Sequence, residues 1–222
     1  MADQFDIVRR LRKVPAHEVA YAKLRDMILF GQLAPGQSVT IQGLTETLAE
    51  GTTPVREAIR KLTAEGALDF QGNRRVCVPQ LNSQQLDELA FARLTIEPKL
   101  VELATTKLTD QHIAYLTTMD EAIDTAILTG NVSDYMKRNQ QFHFSLYEKA
   151  NAPILLSIAH SLWLRFGPSL RVVCGRFGTS NLPDRHEQAL TAMRERDSRM
   201  LADAMRQDIE QGIELVKQSI NA

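Results

Sequence analysis

Two groups of side chains in this 222-residue chain have the types and spacing to do chemistry. The first is Asn139, His143, His186 and Asp208. Residues four apart on a helix lie side by side, so Asn139 and His143 share a face. His186 falls near the start of the penultimate expected helix and Asp208 in the middle of the last, and antiparallel helices would bring all four together inside a bundle. Two imidazoles, a carboxylate and an amide oxygen suit zinc, nickel, manganese or iron. Spacing alone is a weak signal, since an isolated helical histidine is more often a hydrogen-bonded core or surface residue.

The second group could read nucleic acid. Thr52, Thr53, Arg56 and, one turn on, Arg60 fall on the exposed start of a short helix. A helix-turn-helix places the N-terminal side chains of its second helix against base edges in the major groove. The Arg56 guanidinium matches the O6/N7 pair of guanine. Gln42, at the start of the preceding helix, could touch phosphate, and Gly72, Asn73 and Arg74 at a hairpin tip could enter the minor groove or meet backbone. Any one arginine is ordinarily a solvated surface residue; the joint placement on one face is what favours DNA.

The elements that must position these residues can be read from periodicity and stop signals. Val19, Leu24, Met27 and Ile28 mark a first helix that begins near Pro15 and stops at Gly31. Short helices follow over about 41–50 and 53–65, the second capped by Thr52 or Thr53, with Pro54 in its first turn and Gly66 at its end. Strand-like pieces at Ala67–Phe70 and Val76–Val78, joined by a Gly-Asn turn, complete a winged helix-turn-helix. From Asn82 onward almost everything reads as helix: one past Leu108, bent at Pro98; one from Thr109 to near Gly130; one from Asn131 or Ser133 to near Asn151; one over 152–177, interrupted at Gly167-Pro168; then 182–196 and 197–220, with Asp197 as a cap. The expected fold is mostly α: an N-terminal winged helix-turn-helix over residues 1–79, with a basic arm at Arg9, Arg10, Arg12 and Lys13, then an all-helical antiparallel bundle over 80–222.

Composition narrows the function classes. Lys and Arg number 26 against 27 Asp and Glu, so a histone-like polycation is excluded, though a local basic patch is not. Residues 1–79 carry 11 basic and 9 acidic side chains, the remainder 15 and 18. Cys77 and Cys174 form no CxxC pair, which argues against a disulfide scaffold or a cysteine-rich zinc module. The start is acidic, with no long apolar run behind it, and the apolar stretch near Ile154–Leu164 is too short for a bilayer. The expected location is the cytoplasm.

Gly31-x-Leu33-x-Pro35-Gly36, Leu44, Leu48, the run Thr53-Pro54-Val55-Arg56-Glu57-Ala58-Ile59 and Leu62-x-x-Glu65-Gly66 together resemble the N-terminal domain of GntR-type bacterial transcriptional regulators. That family usually has Ser-Arg where this chain has Gly51-Thr52, and the lost arginine implies weaker phosphate attraction or an altered operator. The remainder resembles the FCD ligand-binding domain of the FadR branch: Arg93-x-x-Ile96-Glu97, Phe142-His143, Asn151, His186 and the segment Ala204-Met205-Arg206-Gln207-Asp208 carry the likeness. In such domains an Asp-x-x-x-His pair and two later histidines hold a divalent metal, which in turn can bind a small carboxylate effector. This chain departs twice, with Asn139 in place of Asp and Asp208 in place of the last His. Asn is the poorer ligand, but His143, His186 and Asp208 keep a two-histidine, one-carboxylate set.

The reading is a one-component regulator. As a homodimer it would place two heads on a pseudo-palindromic operator about one DNA turn apart. A small organic acid would bind in the helical pocket, with or without a metal there, and effector and operator affinity would be reciprocally linked. Arg93 suits an effector carboxylate, or else an intrahelical pair with Glu97. Tyr135, His160, Arg165 and Arg171 are further candidates for effector contact. The rivals are a metal-dependent enzyme using His143, His186 and Asp208 to activate water or oxygen, and an effector-independent DNA binder whose bundle only dimerises.

Overall fold

The computed structural model describes residues 14–72, 74–177 and 184–220. The expected N-terminal arm, Asn73 and the expected helix start at Leu182 lie outside the described residues.

The N-terminal unit is built from α1 (Ala16–Leu29), β1 (Ser38–Thr40), α2 (Ile41–Leu48), α3 (Thr52–Ala64), β2 (Asp69–Phe70) and β3 (Arg75–Cys77). Leu24 and Ile28 of α1, Leu44 and Leu48 of α2, and Val55, Ile59 and Leu62 of α3 meet in one core. Gly31 and Gly66 take left-handed conformations, φ +68° and +71°, just past α1 and α3, where a side chain would be strained. Thr40 caps α2, its hydroxyl accepting from Gly43 N at 3.0 Å.

Two local expectations are corrected here. The wing sheet has three strands, ordered β1-β3-β2 and antiparallel throughout, because Ser38–Thr40 pairs with Arg75–Cys77. Three residues are too few to display an alternating pattern. And α3 starts at Thr52, with Gly51 in the capping position and no side-chain cap. Neither threonine hydroxyl is spent on the helix end.

The C-terminal unit comprises α4 (Ser83–Thr105), α5 (Asp110–Leu128), α6 (Val132–Tyr147) with a short 3₁₀ turn to Ala150, α7 (Pro153–Phe177), α8 (Arg185–Glu195) and α9 (Ser198–Ile220). Capping residues fix the starts: Asn82 and Gln85 form a capping box on α4, Thr109 and His112 one on α5, and Asn131 caps α6. The α4 helix passes through Pro98 and ends before Leu108, which is buried in the turn that follows. No break occurs at Gly167-Pro168, where one was expected: α7 is continuous. The reason is tertiary. Gly167 packs against the Leu29 carbonyl so closely that an added Cβ would lie 2.7 Å from it, and this seat favours the helical conformation against its local propensity. Among the described residues no helix is long and apolar enough to cross a membrane.

The α7 helix also joins the two units. Arg165 donates from Nε to the Glu65 carbonyl at 3.0 Å, and its guanidinium lies over Gly66, just past the end of α3. Arg171 covers Gly31. Both arginines, named among the candidates for effector contact, fasten the bundle to the head.

Candidate functional site

On the head, Thr52, Thr53, Arg56 and Arg60 are all exposed along one side of α3. Neither arginine forms an ion pair with another described residue. Gln42 is exposed at the start of α2, where its amide donates to Glu46 at 3.2 Å. Gly72 and Arg74 stand exposed at the wing tip, both at positive φ. A helix N-terminus carrying free hydroxyls and unpaired guanidinium groups is suited to phosphate and base edges.

Inside the bundle, α6, α8 and α9 bring His143, His186 and Asp208 together, with a donor atom from each within 4.8 Å of the others. Both histidines are buried; Asp208 is partly exposed. His143 Nε2 lies 3.1 Å from Asp208 Oδ2 and His186 Nε2 3.8 Å from Asp208 Oδ1. Asn139, one turn before His143, is buried and lines the same cavity.

The outer contacts orient both rings. Tyr147, also on α6, donates its hydroxyl proton to Glu97 Oε2 at 2.7 Å. Glu97 also accepts from Arg93 and from Trp163 Nε1, so every partner around it is a donor. His143 Nδ1, 2.9 Å from the Tyr147 oxygen, must therefore carry the proton and donate it. His186 Nδ1 does the same toward Asp120 Oδ1 at 3.0 Å. Each ring thus has Nδ1 as its donor, so that in the neutral form Nε2 keeps a lone pair.

That arrangement fits a metal ion. Both Nε2 atoms are buried without a hydrogen-bond partner: the 3.1 Å approach to Asp208 is ion-pair contact, but its direction is not that of a hydrogen bond. Two donors held about 2.1 Å from one ion stand no more than about 4.2 Å apart, and both histidine–Asp208 separations meet this limit. Histidine ligands braced by a carboxylate or hydroxyl on the far nitrogen are the usual outer arrangement of metal sites. Burial works against charge on Asp208, but its contacts with His143, then the charge of His186 and Arg93, hold its carboxyl down to about 2. Burial drives His143 toward its neutral form. For His186 burial is outweighed by Asp120 and Asp208, which raise its affinity for a proton. The centre attracts positive charge.

Room is the constraint. The cavity bounded by Arg93, Asn139, His143, Trp163 and Asp208 measures about 30 Å³, enough for an ion and a water or two. Arg93 lines it, but its Nε and one terminal nitrogen are taken by Glu97, and its face lies over Trp163 and Phe166. The intrahelical pair of Arg93 with Glu97 is formed. Tyr135 lines this cavity too, whereas His160 lies outside it.

Asp120 and Tyr147 were not singled out from the sequence. Tyr147 sits four residues after His143, a spacing that could have marked it. Asp120 reaches His186 only through the crossing of α5 and α8, for which the sequence holds no local sign.

A winged helix-turn-helix fastened to a helical domain that buries a His-His-Asp cluster is the architecture of a DNA-binding regulator. The FCD domain family matches residues 88–211 and the gntR family of bacterial regulatory proteins matches residues 16–78. The chain belongs to the GntR-family transcriptional regulators, in the branch that carries an FCD domain. It is 29% identical over 201 residues to the HTH-type transcriptional regulator McbR of Escherichia coli (strain K12), covering 89% of this chain and 91% of that one. The solved structure of E. coli McbR/YncC superposes with a TM-score of 0.87 at 28% identity, covering 93% of this chain and 99% of that one. A putative transcriptional regulator GntR from Rhodococcus sp. RHA1 shares the fold, with a TM-score of 0.75 at 18% identity over 91% of this chain and 97% of that one.

Proposed function

We propose that this regulator binds operator DNA as a homodimer, inserting α3 into the major groove with Arg56 and Arg60 as the principal readers. Thr52 and Thr53 take phosphate or base edges, and Gln42, Gly72, Asn73 and Arg74 contact the flanking backbone or minor groove. The observation that carries the reading is the exposed start of α3, where hydroxyls and guanidinium groups stand without partners among the described residues. Exposed apolar side chains such as Phe91 and Ile154 are available for a dimer seam. We assign residues 1–79 to DNA binding and 80–222 to sensing and dimerisation, in the cytoplasm.

His143, His186 and Asp208 hold a divalent ion in this reading, with the Asn139 amide as a fourth donor. Zinc, nickel, manganese and iron all accept such a set. The bound ion would supply a fixed positive charge able to attract a carboxylate. A small organic acid reaching it, with Arg93 alongside, needs the lining of the 30 Å³ cavity to open. Asp208 neutralises part of the ion's charge, and Tyr147 and Asp120 hold the imidazoles in place. Coupling to DNA runs through α7, which lines the metal cavity with Trp163 and Phe166 and grips the end of α3 with Arg165.

The test is metal analysis of the purified protein, followed by operator titration with and without a chelator. One ion per chain and a change in operator affinity on chelation support the reading. Metal-free protein that takes up none of the four ions contradicts it.

A further inference from the structure

The metal cavity is too small for a metabolite as it stands, yet a space of the right size lies elsewhere. Between the head and the bundle, bounded by α1 and α3 on one side and by α6 and α7 on the other, is a cleft of about 510 Å³. Small-molecule sites span about 300–1,000 Å³, so the cleft falls within their range.

Its walls have two characters. The bundle side is aromatic: exposed His160 stacks on buried Phe144 with ring centres 4.1 Å apart and planes 14° from parallel, and buried Trp163 stands edge-on to Phe144, ring centres 5.6 Å apart and planes at 74°. Burial, followed by the nearby Arg25, lowers the proton affinity of His160 and keeps that surface uncharged. The head side is cationic. Lys61 Nζ is held 3.8 Å over the Tyr21 ring and pairs with no carboxylate among the described residues. Arg25 lies beside it with one edge of its guanidinium on Asp26. The one carboxylate in the lining, Glu65, is turned to the Tyr21 hydroxyl, which lies 2.9 and 3.1 Å from its two oxygens. Ser157 sits at the edge on α7.

We infer that this cleft is a ligand site for a small organic anion with a flat apolar body, its ring lying against exposed His160 and the little of Phe144 and Trp163 that borders the cleft, and its charged group meeting Lys61 and Arg25. Such a ligand touches both units at once. Because Lys61 follows Arg60 on α3, its occupancy bears directly on how the reading helix is held. The assignment does not depend on whether the histidine–aspartate centre holds a metal.

Trp163 is the chain's single tryptophan and borders both the cleft and the metal cavity, so its emission reports binding without a label and the variants below decide which space is filled. The experiment titrates full-length protein with 1-naphthoate, and with uncharged 1-naphthamide as control, in the presence of EDTA. The expected result is saturable quenching by the acid, much weaker quenching by the amide, and an affinity about tenfold lower in Lys61→Met, as expected for loss of a charged hydrogen bond. Ser157→Phe, at an exposed position that fills the cleft, abolishes the signal, while His143→Ala retains it. Absence of saturable quenching overturns the inference. So does quenching that Ser157→Phe and Lys61→Met leave unchanged, or quenching that EDTA or His143→Ala removes, which would place the anion at the metal centre instead.

Discussion

His143 Nδ1 stands 2.9 Å from the Tyr147 hydroxyl oxygen, and that hydroxyl has committed its own proton to Glu97. Burial and the Glu97 charge hold Tyr147 firmly protonated. A phenol that already donates elsewhere can only accept from the imidazole, which turns the Nε2 lone pair of His143 toward Asp208. Replacing Tyr147 with Phe removes the lock without touching a ligand. Divalent-metal affinity is expected to fall about 10- to 100-fold in Tyr147→Phe, measured by competition against a chelating dye. Equal affinity in the two proteins would show that the orientation does not depend on Tyr147.

Glu97 should matter strongly to stability. It is fully buried and answers Arg93, Tyr147 and Trp163 together. Removing one partner of a buried ion pair leaves the other charge uncompensated, at a cost of about 3–5 kcal/mol. Glu97→Ala is expected to lower stability by that amount in urea unfolding of metal-free protein. A change below 1 kcal/mol, at most about the worth of an exposed pair, would mean that Arg93 finds another partner.

Much of this was legible beforehand, and the exceptions have physical causes. The α3 helix could be read because its apolar spacing, its early Pro54 and its terminal Gly66 all agree. The strand at Ser38–Thr40 escaped notice because three residues carry no period. Gly167-Pro168 read as a break because both residues disfavour helix locally, but the Leu29 carbonyl occupies the space where any larger residue would have its Cβ. His143, His186 and Asp208 could be proposed from spacing and resemblance together. The Asp120–His186 contact could not, since it joins residues 66 apart through the crossing of two helices.

Arg165 offers a separate test of the link between the units. Its hydrogen bond to the Glu65 carbonyl holds the end of the reading helix. In Arg165→Ala, metal binding and basal operator binding are expected to persist, while the change in operator affinity on adding metal shrinks. Anisotropy titrations with and without metal read both quantities. Undiminished coupling would place the path elsewhere.

The two thiols give a check on the packing. Cys77 and Cys174 are buried, and burial raises both thiols, Cys174 to about 11. Both are therefore harder to ionise than an ordinary thiol and shielded by packing. Neither should react with a thiol-specific disulfide reagent in native protein, and both should react in guanidinium. Rapid native labelling of Cys174 would contradict the packing of α7.

Selection of bound duplexes from a random pool, followed by affinity measurement on the enriched sequence, tests the regulator assignment most directly. The account predicts two half-sites about one helical turn apart, and a loss of about 1–3 kcal/mol in Arg56→Ala with the bundle still folded. No enrichment over random competitor at modest ionic strength, or an Arg56→Ala protein that binds as the wild type does, would contradict it.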